Sequence, residues 1–420
     1  MKIEAKRLLV VTQHFWPENF RINDIVDGFL ADGIAVDVLC GLPNYPKGEW
    51  FDGYSANGPF YEDYHGARVY RCKEVPRTGN TSVRIFLNYV SWPLYAALAL
   101  HRLPGPYDAV LCYNTSPVLM SWPAILAARK FKAPLTNYVL DIWPENLYSV
   151  LNIGNRFLRR VAQTVSDWHY KKADRLIAMS PGLEARLRQR VGEKNTGLCK
   201  KEGKRYTVIP QYCEDFYAEP ACSTELRQQY AGRFNLMFAG NFSPAQSLDT
   251  ALRAMARIRD GWDAACALPR PHLLLVGDGM SRTELEALTD ELDLRDWVHF
   301  YGSVKPTQIP ALAGAADALL VSLSDSPDLG LTIPAKLASC MAAAKPLLVS
   351  INGEGAAAAA ESGGALVSPA CDDAALAGHL LALAAMSDAD RAAMGRAGFA
   401  YYQSHYRRAE LLRQIETFIF

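Results

Sequence analysis

Short apolar runs alternate with longer helix-like segments along this chain, and this alternation constrains the fold more than any other feature. Helical patterns such as 21–32 and 118–130 lie between strand-like runs at 8–15, 36–40, 69–71, 109–113, 135–141, 175–179 and 206–209. Strands that alternate with helices form parallel, doubly wound sheets, because each parallel connection needs a crossover. The first half therefore predicts a Rossmann-like α/β domain.

A second alternating series follows residues 211–228, a linker-like stretch with a proline and no strong periodicity. Its helical patterns lie at 247–258 and 282–292, and its strand-like runs lie at 234–240, 272–276, 298–301, 318–323 and 346–350. A chain of 420 residues also exceeds the usual size of a single hydrophobic core. We therefore predict two tandem Rossmann-like domains.

The tetrapeptide Trp-Pro-Glu-Asn occurs twice, at 16–19 and 143–146, each time directly after a strand-like run. Because proline cannot donate to a strand ladder, we expect Pro17 and Pro144 to end both strands. Ligands bind at the carboxyl ends of parallel strands, so both copies are expected to line one site. The side chains delivered there, together with the loop 41–48, are His14, Glu18, Asn19, Arg21, Asn44, Tyr45, Asp141 and Glu145.

Asp141 is the candidate reactive group of this edge, since a carboxylate there can accept a proton from a hydroxyl nucleophile. The alternative for Asp141 and Glu145 is helix capping, which acidic residues at strand–helix junctions often provide. The sequence leaves both interpretations open.

In the second half, glycines follow two of the predicted strands. Gly240 and Asn241 follow one strand, and Gly277, Asp278 and Gly279 follow another. Glycines at such positions let backbone amides approach a phosphate at a helix N-terminus, although they also occur for turn geometry alone.

Lys336 lies just inside a predicted helix start that contains Pro334. A lysine there opposes the helix dipole unless an anion is bound, so a diphosphate would resolve the conflict. The alternative is a solvated lysine.

The charge distribution bears on possible partners. The net charge of zero argues against a dedicated nucleic-acid binder. Residues 153–205, however, contain fourteen Lys/Arg and five Asp/Glu, a local net charge of +9. This stretch is either a solvated face or a contact with anionic lipid headgroups. The segment 80–103, which mixes aromatic and basic residues, is either a packed helix pair or an interfacial element.

The compartment follows from the cysteines and the apolar segments. Nine cysteines without a Cys-x-x-Cys pair indicate reduced thiols in a cytoplasmic protein. We expect no signal peptide, since the first strand-like run begins almost at once. The apolar run 85–100 is interrupted by Asn88, Ser91 and Pro93, and it is shorter than the ~20 residues that span a bilayer. No His/Asp cluster with metal-ligand spacing stands out, so no metal is expected.

Five ordered motifs carry a resemblance to a known family: Gln-His-Phe-Trp-Pro-Glu-Asn-Phe-Arg-Ile-Asn-Asp at 13–24, Gly-Leu-Pro-Asn-Tyr-Pro at 41–46, Asp-Ile-Trp-Pro-Glu at 141–145, Phe-Ala-Gly-Asn at 238–241 and Asn-Gly-Glu-Gly-Ala at 352–356. With these, the chain resembles the retaining, GT-B-fold glycosyltransferases of family four from residue 8 to about residue 406. The most similar branch builds bacterial O-antigen, capsule and exopolysaccharide and includes N-acetyl-fucosaminyl transferases.

The resemblance implies an α/β GT-B architecture with a cleft between its two domains. It assigns 1–212 to an acceptor-binding domain, 213–400 to a nucleotide-sugar-binding domain, and 401–420 to a helix that packs back on the first domain. The acceptor-binding residues would be His14, Glu18, Asn19, Arg21, Asn44, Tyr45 and Glu145, and Asp141 would be catalytic. The donor-binding set would be Gly240, Asn241, Gln246, Gly277, Asp278, Gly279, Gly302, Ser303, Thr332, Ser339, Gly353 and Glu354, with Lys336 beside the leaving group.

The chain departs from the wider family at two places. The family's paired glutamates, which hold the donor sugar and ribose, fall on Leu331 and Ser339 here. The family's Arg and Lys after the first strand of the second domain fall on Asn241 and Gln246. We infer that Lys336 supplies the missing positive charge and that Thr332 and Ser339 make lighter sugar or ribose contacts.

These features predict a retaining hexosyl-type transferase (EC 2.4) in surface polysaccharide biosynthesis. It would move a sugar from a UDP-sugar to a polyprenyl-diphosphate-linked saccharide at the cytoplasmic face of the inner membrane, where it would also contact the anionic membrane surface. No cofactor is expected. The alternatives are a GT-B-fold sugar-nucleotide epimerase and an inactive assembly partner, the latter motivated by the two missing glutamates.

Overall fold

The computed structural model describes residues 5–144, 155–219, 222–263 and 267–420. The chain forms two compact units. The first consists of Met1–Ile209 with Leu412–Phe420, and the second of Pro210–Leu411.

The first unit is built on a sheet that contains eight strands in the described part of the chain. The strand order is β3-β4-β2-β1-β5-β6-β7-β8. All neighbouring pairs are parallel except β3 and β4, which form an antiparallel edge. The strands are β1 (Arg7–Val11), β2 (Ala35–Gly41), β3 (Tyr61–Tyr64), β4 (Ala67–Cys72), β5 (Ala109–Asn114), β6 (Leu135–Val139), β7 (Arg175–Ala178) and β8 (Arg205–Val208).

The helices of this unit cover the sheet, and several begin at clear caps. The side chains of Thr81, Asn155 and Ser180 accept hydrogen bonds from the first-turn amides of α2, α4 and α5, which satisfies donors that have no intrahelical partner. The helices are α1 (Arg21–Ala31), α2 (Ser82–Ala99), α3 (Ser121–Phe131), α4 (Arg156–Lys172) and α5 (Pro181–Val191).

The second unit contains a parallel sheet of six strands within the described residues, in the order β11-β10-β9-β12-β13-β14. The strand order reverses beside β9, which pairs with β10 and β12, and ligands of doubly wound sheets bind at such a switch point. The strands are β9 (Arg233–Ala239), β10 (Arg270–Val276), β11 (Val298–Gly302), β12 (Ala318–Ser322), β13 (Leu347–Ser350) and β14 (Ala365–Ser368).

Eight helices of the described chain belong wholly to this unit. Buried Leu, Met, Phe and Ala side chains fill the space on both faces of the sheet. The helices are α6 (Thr224–Gln229), α7 (Leu248–Asp260), α8 (Arg282–Glu291), α9 (Ile309–Ala315), α10 (Ala335–Ala342), α11 (Gly353–Glu361), α12 (Asp373–Ala385) and α13 (Asp388–His405).

The last helix, α14 (Arg408–Ile419), returns to the first unit. Ile415 and Ile419 are fully buried there. Leu412 lies so close to α1 that a Cβ on Gly28 would come within 2.7 Å of its Cδ1 atom. The expected return of a C-terminal helix to the first domain is therefore present, carried by residues 412–420.

We expect Ile415→Ala to lower the free energy of unfolding by about 2–5 kcal/mol, because it opens a cavity at a fully buried position. Denaturant unfolding measures this loss. Thr417→Ala on the exposed face of the same helix is the control and is expected to stay within about 0.5 kcal/mol of wild type. Equal losses in the two variants would show that α14 is not packed in the first unit.

Neither proline of the repeated tetrapeptide ends its strand, so this expectation is wrong. β1 ends at Val11 and β6 ends at Val139, several residues before Pro17 and Pro144. The chain beyond β1 still runs beside β2, since the amide of Thr12 donates to the Leu39 carbonyl at 3.1 Å. The loops that leave both strands are therefore longer than the apolar runs indicate.

Candidate functional site

The second unit contains a cavity of about 400 Å³ at the carboxyl ends of β9 and β10, beside the reversal of strand order. Side chains of α9 and α10 form its other walls. Of the predicted donor-binding and catalytic residues, this cavity brings together Gly240, Asn241, Gly277, Asp278, Ser303, Lys336 and Ser339.

Lys336 is the cationic side chain in the lining of this cavity. It is the second residue of α10, and the amide of Leu337 in the same first turn donates to the carbonyl oxygen of Pro334 at 2.9 Å. Its ammonium donates to Oε1 of Gln246 at 2.6 Å and lies 3.5 Å from the ring centroid of Phe238. Burial lowers the pKa of Lys336 to about 7. Near neutral pH the charged form of Lys336 is therefore only partly populated, and an anionic ligand would favour it.

The sequence predicts that the glycine amides of this site bind a phosphate, but in the structure these amides already have hydrogen-bond acceptors. The amide of Gly240 donates to Val276 O, and that of Gly277 donates to Gly302 O, each at 2.9 Å. The amide of Gly279 donates to Oδ1 of Asp278 at 2.8 Å. The predicted phosphate cradle is thus not present here, because the amides of Gly240 and Gly277 join strand ends and that of Gly279 binds the side chain of Asp278.

These glycines instead allow the strand ends to approach closely. A Cβ on Gly277, which has a φ of +135°, would lie 1.9 Å from the carbonyl oxygen of Gly240. A Cβ on Gly240 would lie 2.8 Å from the ammonium nitrogen of Lys336. The absence of side chains therefore leaves room for the lysine at the strand exit.

The other predicted donor residues lie outside the cavity lining. Gln246 is the hydrogen-bond partner of Lys336, and the hydroxyl of Thr332 donates to Leu329 O at 3.0 Å. Gly353 and Glu354 begin α11, where a Cβ on Gly353 would lie 2.0 Å from the carbonyl oxygen of Gly330. Gly279 and Gly302 likewise lie outside the lining.

In the first unit, Glu18 has a positioning role. Its Oε1 accepts hydrogen bonds from the amides of Asn44 at 2.8 Å and Tyr45 at 2.7 Å, and its Oε2 lies 2.9 Å from Nδ1 of His14. The carboxylate is 2% exposed. Glu18 therefore fixes the loop after β2 against the loop after β1, and brings together residues that the sequence assigns to one sheet edge.

Aromatic and cationic groups surround this junction. The ring of His14 stacks on Phe20 with 4.8 Å between centroids, and Tyr45 lies 5.2 Å from His14. Tyr45 is 38% exposed, and the guanidinium of Arg77 lies 5.4 Å from the centroid of its ring. An exposed aromatic ring with a cation behind it can contact a sugar ring and its hydroxyls.

The remaining acceptor candidates occupy different surroundings. Asn19 is exposed, whereas Arg21 and Asp141 are partly buried. Both Arg21 and Asp141 act electrostatically on Tyr113, whose burial raises its pKa. Glu145 lies outside the described residues.

Glu74 is a buried residue of this junction that the sequence interpretation overlooked. Its carboxylate accepts hydrogen bonds from the side-chain amides of Gln13 and Asn44, both at 2.6 Å, and from Asn88 at 3.1 Å. Burial, and after it the charge of Glu18, raises the pKa of Glu74 to about 8. The hydrogen bonds from Gln13 and Asn44 act in the opposite direction but do not cancel this rise. The position of Glu74, two residues after the end of β4, could have identified it, because the other candidate residues of this sheet were selected by the same criterion.

The pKa of Glu74 predicts a pH-dependent stability. The folded chain holds this proton up to about pH 8, whereas the unfolded chain releases it near its ordinary value of 4.5. Between these values the folded state binds more protons, so the contribution of Glu74 to stability falls as the pH rises. We expect the unfolding free energy of Glu74→Gln, measured in denaturant between pH 5 and 8, to lose this downward trend relative to wild type. Parallel trends would show that Glu74 is ionised throughout.

Two family profiles match the two halves of the chain. The profile described as "Glycosyl transferase 4-like domain" matches residues 19–196, and "Glycosyl transferases group 1" matches residues 233–386.

Two curated bacterial proteins are similar over part of the chain. The probable glycosyltransferase WbjE of Pseudomonas aeruginosa is 27% identical over 250 residues, 56% of this chain and 55% of WbjE. The lipopolysaccharide core biosynthesis glycosyltransferase LpsD of Rhizobium meliloti is 28% identical over 159 residues, 38% of this chain and 40% of LpsD. The chain thus spans about half the length of the curated relatives it matches.

Solved structures match over nearly the full length. Sucrose-phosphate synthase from Thermosynechococcus elongatus has a TM-score of 0.72 at 18% identity and covers 98% of both chains. Anabaena HepE in complex with UDP has a TM-score of 0.68 at 16% identity, covering 98% of this chain and 99% of HepE. These matches confirm the predicted fold class of two Rossmann-like domains. Each half of the chain therefore matches a glycosyltransferase profile, and the fold is that of two tandem Rossmann-like domains.

Proposed function

We propose that the chain transfers a sugar from a UDP-sugar to a lipid-linked saccharide, with retention at the anomeric carbon. The observation that carries the donor part is the partly desolvated ammonium of Lys336 in a cavity at the carboxyl ends of β9 and β10. A nucleoside diphosphate would supply the anion that this ammonium and the N-terminus of α10 attract. The UDP complex of HepE, which shares the fold, supports the choice of nucleotide.

In the proposed reaction the acceptor hydroxyl forms a bond to the anomeric carbon while the bond from that carbon to the diphosphate breaks. The bond forms on the face that the diphosphate leaves, and the hydroxyl proton passes to the departing phosphate. Lys336 stabilises the negative charge that develops on this leaving group. Asp141, in the loop after β6, orients the acceptor hydroxyl. The proposal assigns no step to a metal, so turnover is expected to persist in a chelator.

The acceptor side of the proposal rests on the junction of His14, Tyr45 and Arg77, which offers an exposed ring and polar groups for saccharide hydroxyls. The name of LpsD, a glycosyltransferase of lipopolysaccharide core biosynthesis, supports a role in lipopolysaccharide or a related surface polysaccharide. The acceptor in this proposal is a polyprenyl-diphosphate-linked saccharide. We place the enzyme in the O-antigen, capsule and exopolysaccharide branch, at the cytoplasmic face of the inner membrane. The branch also suggests N-acetylated 6-deoxyhexoses as donors to test first.

The test is UDP release from a panel of UDP-sugars, with and without lipid-linked acceptors. Acceptor-dependent release from one donor is expected, and it should fall in Lys336→Ala and in Asp141→Asn. Full turnover in both variants would contradict the site assignment. A donor that changes its stereochemistry without an acceptor would identify an epimerase instead. UDP binding without transfer to any acceptor would identify an inactive assembly partner.

A further inference from the structure

Helix α2 leaves a stripe of large apolar side chains uncovered. Val83 and Leu98 are each 69% exposed and Leu94 is 50% exposed, and their spacings of eleven and four residues place them on one helix face. The opposite face is buried, with Trp92 and Ala96 fully enclosed in the core of the first unit. An exposed apolar stripe of this kind marks a surface that contacts another protein, a ligand or a membrane.

Helix α4 carries a second stripe of the same kind. Phe157 is 72% exposed, Leu158 is 52% exposed, and Val161 and Trp168 are each at least 40% exposed. Lys172 continues this stripe one turn beyond Trp168, and its ammonium lies 5.9 Å from the centroid of the Trp168 ring. Exposed arginines at 156, 159 and 160 flank the apolar end of this stripe, and Lys172 lies at its other end.

An apolar cavity of about 290 Å³ joins the two stripes. Its walls are Val90 and Leu94 of α2, Trp122 of α3 and Trp168 of α4, with almost no polar surface. Both α2 and α4 also contact the short turn Val118–Met120 before α3. The two stripes and this cavity thus form one continuous surface, which we call the α2–α4 face.

A basic pocket borders the α2–α4 face. It has a volume of about 230 Å³ and is lined by Arg129 at the end of α3, by Lys172 at the end of α4 and by Lys200. Asp174, the carboxylate in its wall, already accepts the amides of Leu135 and Cys199 at 3.0 and 2.7 Å. Because Trp122 and Arg129 are about 10 Å apart along α3, the apolar cavity and the basic pocket are within the span of one lipid molecule.

We propose that the α2–α4 face docks on a bilayer that contains anionic phospholipid, with an acyl chain in the apolar cavity and a headgroup phosphate in the basic pocket. Charge complementarity selects this occupant, since an apolar surface that ends in three cations matches an amphiphile with an anionic head. The segment Val83–Arg102 is also long and apolar enough to cross a bilayer by composition. Its buried face, which holds Asn88, Trp92 and Ala96 in the core, favours a docked helix over a spanning one. The proposal goes beyond sugar transfer and does not depend on it.

Flotation with vesicles of phosphatidylglycerol and phosphatidylcholine tests the apolar part. The wild-type chain should float with the mixed vesicles at low ionic strength and should not float with pure phosphatidylcholine. Leu98→Asp and Phe157→Asp are expected to weaken binding about tenfold or more, because each removes the burial of a large apolar group. Met280→Asp, at an 82% exposed methionine of the second unit, is the matched control and should bind as wild type does. Wild-type binding by Leu98→Asp and Phe157→Asp would overturn the proposal.

The basic pocket is tested separately. Lys172→Gln and Lys200→Gln should each weaken binding to the mixed vesicles about fivefold, the fold-change that corresponds to about 1 kcal/mol per basic residue at an anionic surface. Arg253→Gln, at an exposed arginine of α7, is the control for lost charge and should change binding less than twofold. Equal losses in Arg253→Gln and Lys172→Gln would show a non-specific charge effect and would overturn the headgroup pocket.

Two further readouts separate this proposal from other occupants and from the proposed function. If the wild-type chain sediments as a dimer that Leu98→Asp dissociates, and it does not bind vesicles, the face is an interface between copies of the chain and the proposal is wrong. UDP affinity, measured by calorimetry, should be unchanged in the variants of the α2–α4 face. A chain that binds vesicles but transfers no sugar would retain this inference and remove only the proposed function.

Discussion

Lys336→Met is expected to weaken UDP binding about 10- to 100-fold, the loss of a charge-assisted bond to a phosphate. The same substitution should raise the stability of the ligand-free protein by about 1–4 kcal/mol, since it replaces a partly desolvated cation over Phe238 with an apolar side chain. Calorimetry gives the first change and denaturant unfolding gives the second. A residue that lowers stability yet increases affinity in this way serves binding and not the fold.

The pH dependence provides an independent check on Lys336. Its pKa of about 7 lies below the ordinary value of 10.5, so the unfolded chain binds more protons between these values. Wild-type stability should therefore gain a contribution that rises with pH across this window and is absent from Lys336→Met. UDP affinity of the wild type should fall above pH 7 as the ammonium loses its proton. Lys305→Met, at an exposed lysine of the same unit, should reproduce neither effect. Unchanged UDP affinity in Lys336→Met would show that another group neutralises the diphosphate.

Gly277→Ala is expected to destabilise the second unit by about 3–5 kcal/mol. Its Cβ would lie 1.9 Å from the carbonyl oxygen of Gly240, and its φ of +135° is strained for alanine. Steric overlap and backbone strain each cost about 1–3 kcal/mol, and here they coincide. Because Gly240 faces the ammonium of Lys336, any shift of the strand end should also weaken UDP binding.

Gly232→Ala separates the two causes. Gly232 precedes β9 and has a φ of +78°, but a Cβ there would meet nothing within 4 Å. It should cost only about 1–2 kcal/mol, the strain of a left-handed alanine. Urea unfolding of both variants measures the difference. If Gly277→Ala is as stable as Gly232→Ala, the close approach of the β9 and β10 ends does not constrain the site.

The sequence predicted the architecture well because alternating apolar runs report parallel strands directly. It missed the edge strands β3 and β14, the former because Tyr61–Tyr64 contains two acidic residues and lacks a buried apolar run. It also extended the strand before Trp16 to residue 15, whereas β1 ends at Val11 and the next four residues, three of them polar, form a buried loop.

The candidate site was harder to predict than the fold. Position at a helix start selected Lys336 and position after a strand selected the glycines. Neither signal could show that the amides of Gly240 and Gly277 already have hydrogen-bond acceptors. The acceptors of these amides are set by the pairing of β9, β10 and β11. This pairing joins residues far apart in the sequence, so a local pattern does not reveal it. Glu74 was missed for the same reason, since its partners Gln13, Asn44 and Asn88 come from distant parts of the chain.

The return of residues 412–420 to the first unit has a consequence for synthesis on the ribosome. Ile415 and Ile419 are fully buried in a unit whose other residues precede Pro210. The first unit therefore emerges with part of its apolar surface uncovered, and it stays so while some two hundred residues of the second unit are translated. The second unit, which is continuous in the chain, can complete its own core first. The order of completion is thus the reverse of the order of emergence, so the nascent first unit is the part most in need of a chaperone.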